Sequence, residues 1–305
     1  MTPRLRLILT IVVAAGLRFP GIEWGFSIEP GAYHQLHPDE SVSCFDSWTR
    51  GRAWLDDPEN WHERGMQVEC WALSSLLRRA GGGDLAATTF VRAARIYSVL
   101  CGLAGILIIG LVARELDGDT ATRALSGQCA ALLCALAGAH IVTSFWARGQ
   151  IQNNICFFGS IYLAQRALSG ESKWWWLFCA GIAAGIAIGL RWSVELLPML
   201  VIAALATHHR VVGLFACGFG CVLGFFGGTA FMWTPSQILT FIHMQAQAML
   251  GLENVVGPTT IATAAVLCTI VGCGLATGVL GAWMPGNAGK GNTERLHRGL
   301  GRQAC

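Results

Sequence analysis

Long apolar runs recur along almost the whole chain, and no other feature of the sequence constrains its fold as strongly. In hydrocarbon every backbone N–H and C=O must be bonded within the protein, so such runs become helices. About 20 apolar residues, rising about 1.5 Å each, cross a hydrocarbon core about 30 Å thick. Eight stretches fit, at roughly 5–22, 94–113, 124–145, 151–168, 174–192, 194–207, 211–233 and 259–284. Of the 305 residues, 53% are hydrophobic and only 13% charged, whereas a soluble domain carries about 25% charged residues. The sequence therefore predicts an all-α, polytopic transmembrane helical bundle of about eight spans over residues 1–285, followed by a polar, Gly-rich, disordered tail at 286–305.

The charges set an orientation. Arg4, Arg114, Arg123, Lys173, Arg210 and the tail residues Lys290, Arg295, Arg298 and Arg302 fall on one side of the expected spans. The short loops of the other side hold only Arg148 and Arg191. An excess of Lys and Arg marks the cytoplasmic side, which puts both termini in the cytoplasm and the long 23–93 loop outside. Arg4 and Arg6 before an apolar stretch also resemble a signal peptide. Without a small-x-small cleavage site before Arg18 and Pro20, an uncleaved first helix is the better reading. The positive charges form no basic stripe with interleaved aromatics, so nucleic acid is not an expected partner. Membrane lipids are.

The 23–93 loop is patterned. "DESVSCFDSWTRGRAWL" and "VECWALSSLLRRAG" space their apolar residues three or four apart, which predicts two amphipathic surface helices, the second ending near Gly81-Gly82-Gly83. Residues 234–251 have the same character. Most of the twelve cysteines lie in apolar runs as small buried hydrophobes, while Cys44 and Cys70 share the outer loop and are candidates for a disulfide.

Polar side chains gather at the outward ends. Asp39 and Glu40 follow His37 and Pro38. Arg148, Gln150, Gln152, Asn153 and Asn154 lie where the third span leaves and the fourth enters. Arg191 and Glu195 mark the fifth-to-sixth turn, and His243, Gln245 and Gln247 lie on the third outer segment. Polar groups at membrane depth are costly and point to function. A partly desolvated Asp39 is a candidate base, although an aspartate in a first helical turn also complements the helix dipole. Arg191 suits a lipid-linked phosphate, which it can grip with two hydrogen bonds; it can equally snorkel to the interface. His34, His37, Asp39 and Glu40 are suitable ligand types for a divalent metal near Asp39, but their spacing matches no strong motif and no cofactor is required.

The order "R-F-P…H-P-D-E", then "ARIYSVLCGLAGILIIGLVARELDG", "GIAAGIAIGLRWSVELLPML" and "PSQILTFIHMQAQAMLG" resembles the C-type polytopic membrane glycosyltransferases, in particular the protein mannosyltransferase and aminoarabinose transferase group. The resemblance implies a transferase that moves a sugar, with inversion, from a polyprenyl-phosphate donor to a lipid, glycan or protein acceptor on the extracytoplasmic face of a bacterial inner membrane. It assigns the base to Asp39 with Glu40 in support, and donor-phosphate binding to Arg191 together with Arg148. His37, Gln152, Asn153, Asn154, Glu195, His243 and Gln247 are left to hold sugar or acceptor. Many relatives carry an aspartate at the start of the fourth helix, where this chain reads "QIQNN", and they continue with further helices. Two other readings stand beside this one: a non-catalytic relative that binds glycolipid or lipid-linked sugar, and a small-molecule transporter, for which the chain lacks a convincing internal repeat.

Overall fold

A computed structural model describes residues 2–24, 49–50, 53, 55, 64–81, 86–117, 119, 122–147, 149–169, 174–191, 193, 196–207 and 210–229. Among these residues every regular element is helical and there is no strand. The helices are α1 (Pro3–Arg18), continued by a 3₁₀ turn (Phe19–Glu23), α2 (Arg64–Gly81), α3 (Ala87–Leu116), α4 (Arg123–Leu136), α5 (Gly138–Ser144), α6 (Gly149–Leu168), α7 (Trp174–Leu190), α8 (Leu196–Ala206) and α9 (Arg210–Gly228).

Among the described residues, three segments are long and apolar enough to cross a membrane: Leu5–Glu23, Ala87–Leu116 and Arg210–Gly228. A fourth joins α4 and α5, which meet at a 65° bend. The expected count of about eight is not confirmed among the described residues. Helices α7 and α8 are apolar but short. Helix α6 has the length, but Gln150, Gln152, Asn153, Asn154, Gln165 and Arg166 dilute its apolar character. The expected span at 259–284, the outer segment at 234–251, the tail and all of the first surface helix but residues 49–50, 53 and 55 lie outside the described residues.

The second surface helix is present as α2. It ends at Gly81, as the sequence predicts. Its inner face puts Met66 and Cys70 against Phe90, Ala94 and Ala147. Cys70 is buried against these apolar side chains, and Cys44, its expected disulfide partner, lies outside the described residues.

Each crossing helix reverses its predecessor. Gly110 of α3 lies against Gly127 of α4, and Ile106 packs with Ala131. Ser160 of α6 donates to the Ala180 carbonyl of α7 (2.9 Å). In the α7–α9 pair, Gly181 abuts Cys217 and Gly185 abuts Cys221, so these helices run parallel and α8 returns the chain between them. The turns after α5 and α7 therefore gather at one end, under α2, and those after α3, α6 and α8 gather at the other.

The α7–α9 contact is backbone on backbone. A Cβ on Gly181 or Gly185 would run into the Cys217 or Cys221 carbonyl, and one on Gly220 or Gly224 into the Phe178 or Ile182 carbonyl. Small residues every fourth position allow this approach, the usual way helices adhere where lipid removes the hydrophobic drive between them. The other face of α9 exposes Val211, Phe215, Phe219 and Val222. Its shallow groove, lined by Val211, Leu214, Phe215, Gly218 and Phe219, holds no polar side chain and suits acyl chains.

Helix α3 is 30 residues long, about 45 Å, and so outruns a hydrocarbon core of about 30 Å. Its surplus turns grip the exit of α1. Arg92 pairs with Glu23 (2.9 Å), and the fully buried Arg95 donates to the carbonyls of Ile22 (3.0 Å) and Trp24 (2.6 Å).

Candidate functional site

At the end where α6 begins and α7 stops, the first turn of α2 rests on both. Gly65 lies against the Gly189 carbonyl and Leu190, with a hypothetical Cβ 2.8 Å from each, and the Gly149 position approaches Met66 to 3.1 Å. Glycines at positions 65 and 149 let the three helices close to this distance.

Beneath α2 runs a seam of polar side chains. Gln152 Nε2 donates to Ser98 Oγ (3.2 Å), linking α6 to α3. Ser193 Oγ, just beyond α7, donates to Asn153 Oδ1 (3.1 Å), linking the exit of α7 to the start of α6. Gln152, Asn153, Ser98 and Ser193 are all buried. Glu69 enters the same seam from α2 and accepts a hydrogen bond from the Tyr97 hydroxyl. Burial pushes the Glu69 carboxyl from an ordinary 4.5 up to about 7, against the opposing pull of that hydrogen bond. Cys101 on α3 and Cys156 on α6 lie within electrostatic reach of it. Two buried acceptors in the seam, Glu69 Oε2 and Gln152 Oε1, receive no hydrogen bond. An orphaned acceptor costs about 1–3 kcal/mol, so the seam is built for a donor: a proton, a water or a hydroxyl-bearing ligand.

Of the residues expected to form a site, four are described. Gln152 and Asn153 are buried as above, Asn154 is half-buried on the same turn of α6, and Arg191 is exposed in the bend after α7. Asp39, Glu40, His37, Arg148, Glu195, His243 and Gln247 lie outside the described residues, as does the expected position for a divalent metal near Asp39. Among the described residues, no three His, Cys, Asp or Glu side chains converge in a metal-binding group.

A second buried polar cluster lies across α3 from the seam. The 65° break at Ala137 releases carbonyls at the end of α4. Arg18, wholly buried, takes them up: Nη1 donates to Ala135 O (3.0 Å) and to Ala14 O (3.0 Å), and Nη2 to Cys134 O (3.5 Å) and His140 Nδ1 (2.8 Å), while Nε donates to Ser144 Oγ (3.2 Å). All five guanidinium N–H groups are used. Because Arg18 only donates, His140 Nδ1 must accept, and the ring proton sits on Nε2. This arginine is a clamp on two helix C-termini, whose dipoles favour a cation there. It has no donor left for a ligand.

The opposite end is held by ordinary caps. Asp117 accepts from the Asp119 N–H (3.0 Å), the Thr122 hydroxyl (2.8 Å) and the Ser126 hydroxyl, and these bonds hold its carboxyl below the usual range. Arg166 pairs with Glu115 (3.7 Å) and lies 5.6 Å over the Trp176 ring. Trp176 itself stacks on Trp175 at 3.8 Å.

Glu69, Tyr97, Arg18, Arg95 and His140 lie outside the outward turns where the sequence places its candidate site. The available signal was an ionisable residue inside or beside an apolar stretch: Arg18 in "GLRFPG", Arg95 in "ARIYSVL", His140 in "AGAHIV" and Glu69 on the apolar stripe of "VECWAL". In comparisons with known proteins, no family model, no curated protein and no solved structure matches this chain.

Proposed function

We propose that the protein is a membrane glycosyltransferase that moves a sugar from a polyprenyl-phosphate donor to an acceptor at the end of the bundle covered by α2. The observation that carries this reading is the Ser193–Asn153 hydrogen bond. It brings the turn bearing Arg191 to the amide-rich start of α6, so that a cation suited to phosphate and amides suited to sugar hydroxyls belong to one end of the molecule.

In this reading Asp39 takes the proton from an acceptor hydroxyl or amine as that atom bonds to the anomeric carbon. The bond from that carbon to the phosphate oxygen breaks, and polyprenyl phosphate leaves with the electron pair. Arg191 stabilises the charge that develops on the departing oxygen. Glu40 and Arg148 support the base and the phosphate, and His37, Asn154, Glu195, His243 and Gln247 complete the binding surface with Gln152 and Asn153. The reading places the protein in a bacterial plasma membrane with this end outward.

The test is sugar transfer by the full-length protein in vesicles containing polyprenyl-phosphate-linked mannose or aminoarabinose. Asp39→Asn keeps the shape and removes the base, so transfer falls at least about 100-fold, the upper part of what a general base contributes being about 10⁴-fold. Undiminished transfer by folded Asp39→Asn rules out the base. Arg191→Ala weakens donor binding; unchanged donor affinity rules out the phosphate assignment.

A further inference from the structure

A carboxylate that loses water without gaining a cation is a poor fit for a packed helix seam, and among the described residues Glu69 has no cation beside it. Its Oε2 is shut off from solvent and accepts no hydrogen bond. Among the described residues, the titratable groups facing it are Tyr97 and Cys101 from α3 and Cys156 from α6. None of these is a cation. On α2 itself, Arg78 and Arg79 lie in the exposed last turn. Beyond α7, Arg191 is exposed and is not among the groups that set the Glu69 carboxyl. Among the described residues, no set of three ligating side chains gathers here for a metal ion. An unpaired ionised group in such a place neutralises rather than persist.

The helix that carries Glu69 is well suited to move. Helix α2 is amphipathic, with its apolar stripe inward and Leu76, Arg78 and Arg79 outward. It is seated through Gly65 and Met66 on the α6 and α7 ends, and through Met66 and Cys70 on Phe90, Ala94 and Ala147. We propose that Glu69 is a proton-operated latch: α2 seats on the seam while the Glu69 carboxyl is neutral, and ionisation loosens it from α3 and α6. Loosening uncovers Gly149, Asn153 and Ser193, the surface where α6 begins and α7 ends. A protonation switch thereby sets access to that end of the bundle, whatever the ligand that enters it.

The sign follows from linkage. The seated carboxyl titrates at about 7, and a solvated one at 4.5. Between these values the seated form holds a proton that the open form has lost. Seating is therefore complete at low pH and weakens as pH rises, by about tenfold per pH unit, until it levels off once both forms are ionised.

The experiment is hydrogen–deuterium exchange of residues 66–78 in the full-length protein in lipid nanodiscs, corrected for intrinsic exchange and referenced to α1 peptides of the same sample. Protection of wild-type α2 falls about tenfold per pH unit between about pH 5 and about pH 7, then stays level. In Glu69→Gln, which is neutral at every pH, protection is high and flat. Tyr97→Phe removes the donor that, among the described residues, favours the ionised carboxyl, so the levelling-off moves to higher pH. Wild-type protection that does not change with pH, a slope that survives in Glu69→Gln, or a plateau that Tyr97→Phe leaves in place overturns the latch. No sugar enters the measurement, so its failure is separate from failure of the transferase reading.

Discussion

The buried polar residues divide into those that are satisfied and those that are not, and the division separates structure from site. Arg18 spends every N–H on helix ends, His140 and Ser144. Arg18→Leu strips donors from the Ala135 and Cys134 carbonyls and from His140, each at about 1–3 kcal/mol. We predict a loss of about 3 kcal/mol or more in detergent unfolding, with Arg18→Lys recovering only part because an ammonium lacks the planar fork. Retained stability in Arg18→Leu would contradict the clamp. Glu69 and Gln152 keep unpaired oxygens. Gln152→Leu removes an orphaned acceptor but also strands Ser98 Oγ, so its effect on unfolding is small, within about 1 kcal/mol, whereas its effect on sugar transfer is large if the seam holds the ligand.

Among the elements, glycine spacing decides the tightest contact. The pairs Gly181–Cys217 and Gly185–Cys221 leave no room for a side chain between α7 and α9. Overpacking there costs about 1–3 kcal/mol and more when backbone must shift. Gly185→Leu is predicted to lower the midpoint of thermal unfolding in detergent sharply, and Gly227→Leu, where a Cβ meets nothing, to leave it unchanged. Equal effects of the two substitutions would show that the parallel α7–α9 packing is wrong. Helices α1, α3 and α9 were legible in the sequence because their apolar runs are long enough to cross a membrane. The 65° break at Ala137 was not: Gly138 lies at it, but an isolated glycine within an apolar run is tolerated in a helix, and the carbonyls the break frees find their donor only through the tertiary contact to Arg18. Helix α3 also begins seven residues before its apolar run, at Ala87, because Arg92 and Arg95 find partners on the exit of α1 and let the helix start in polar surroundings.

Across the whole molecule, the alternation of helix directions puts the start of α6, the exit of α7 and the inner face of α2 at one end. The amides of Gln152 and Asn153 were recognisable in the sequence as unusual at membrane depth. Their partners Ser98 and Ser193 were not, because serine is common in both helices and turns and only packing picks out which ones face inward. Glu69 was hidden for a related reason: one carboxyl among the charges of an amphipathic helix reads as solvated until α3 and α6 close over it. The proposed sugar transfer belongs to that end, and release of polyprenyl phosphate measures it most directly, since that product is common to every sugar and acceptor. Wild-type protein in vesicles is predicted to release polyprenyl phosphate from a linked-sugar donor, and folded Asp39→Asn to lose that release. Release that is the same with Asp39→Asn, or none from wild type with either mannose or aminoarabinose donors and a membrane-lipid extract as acceptor, would contradict it.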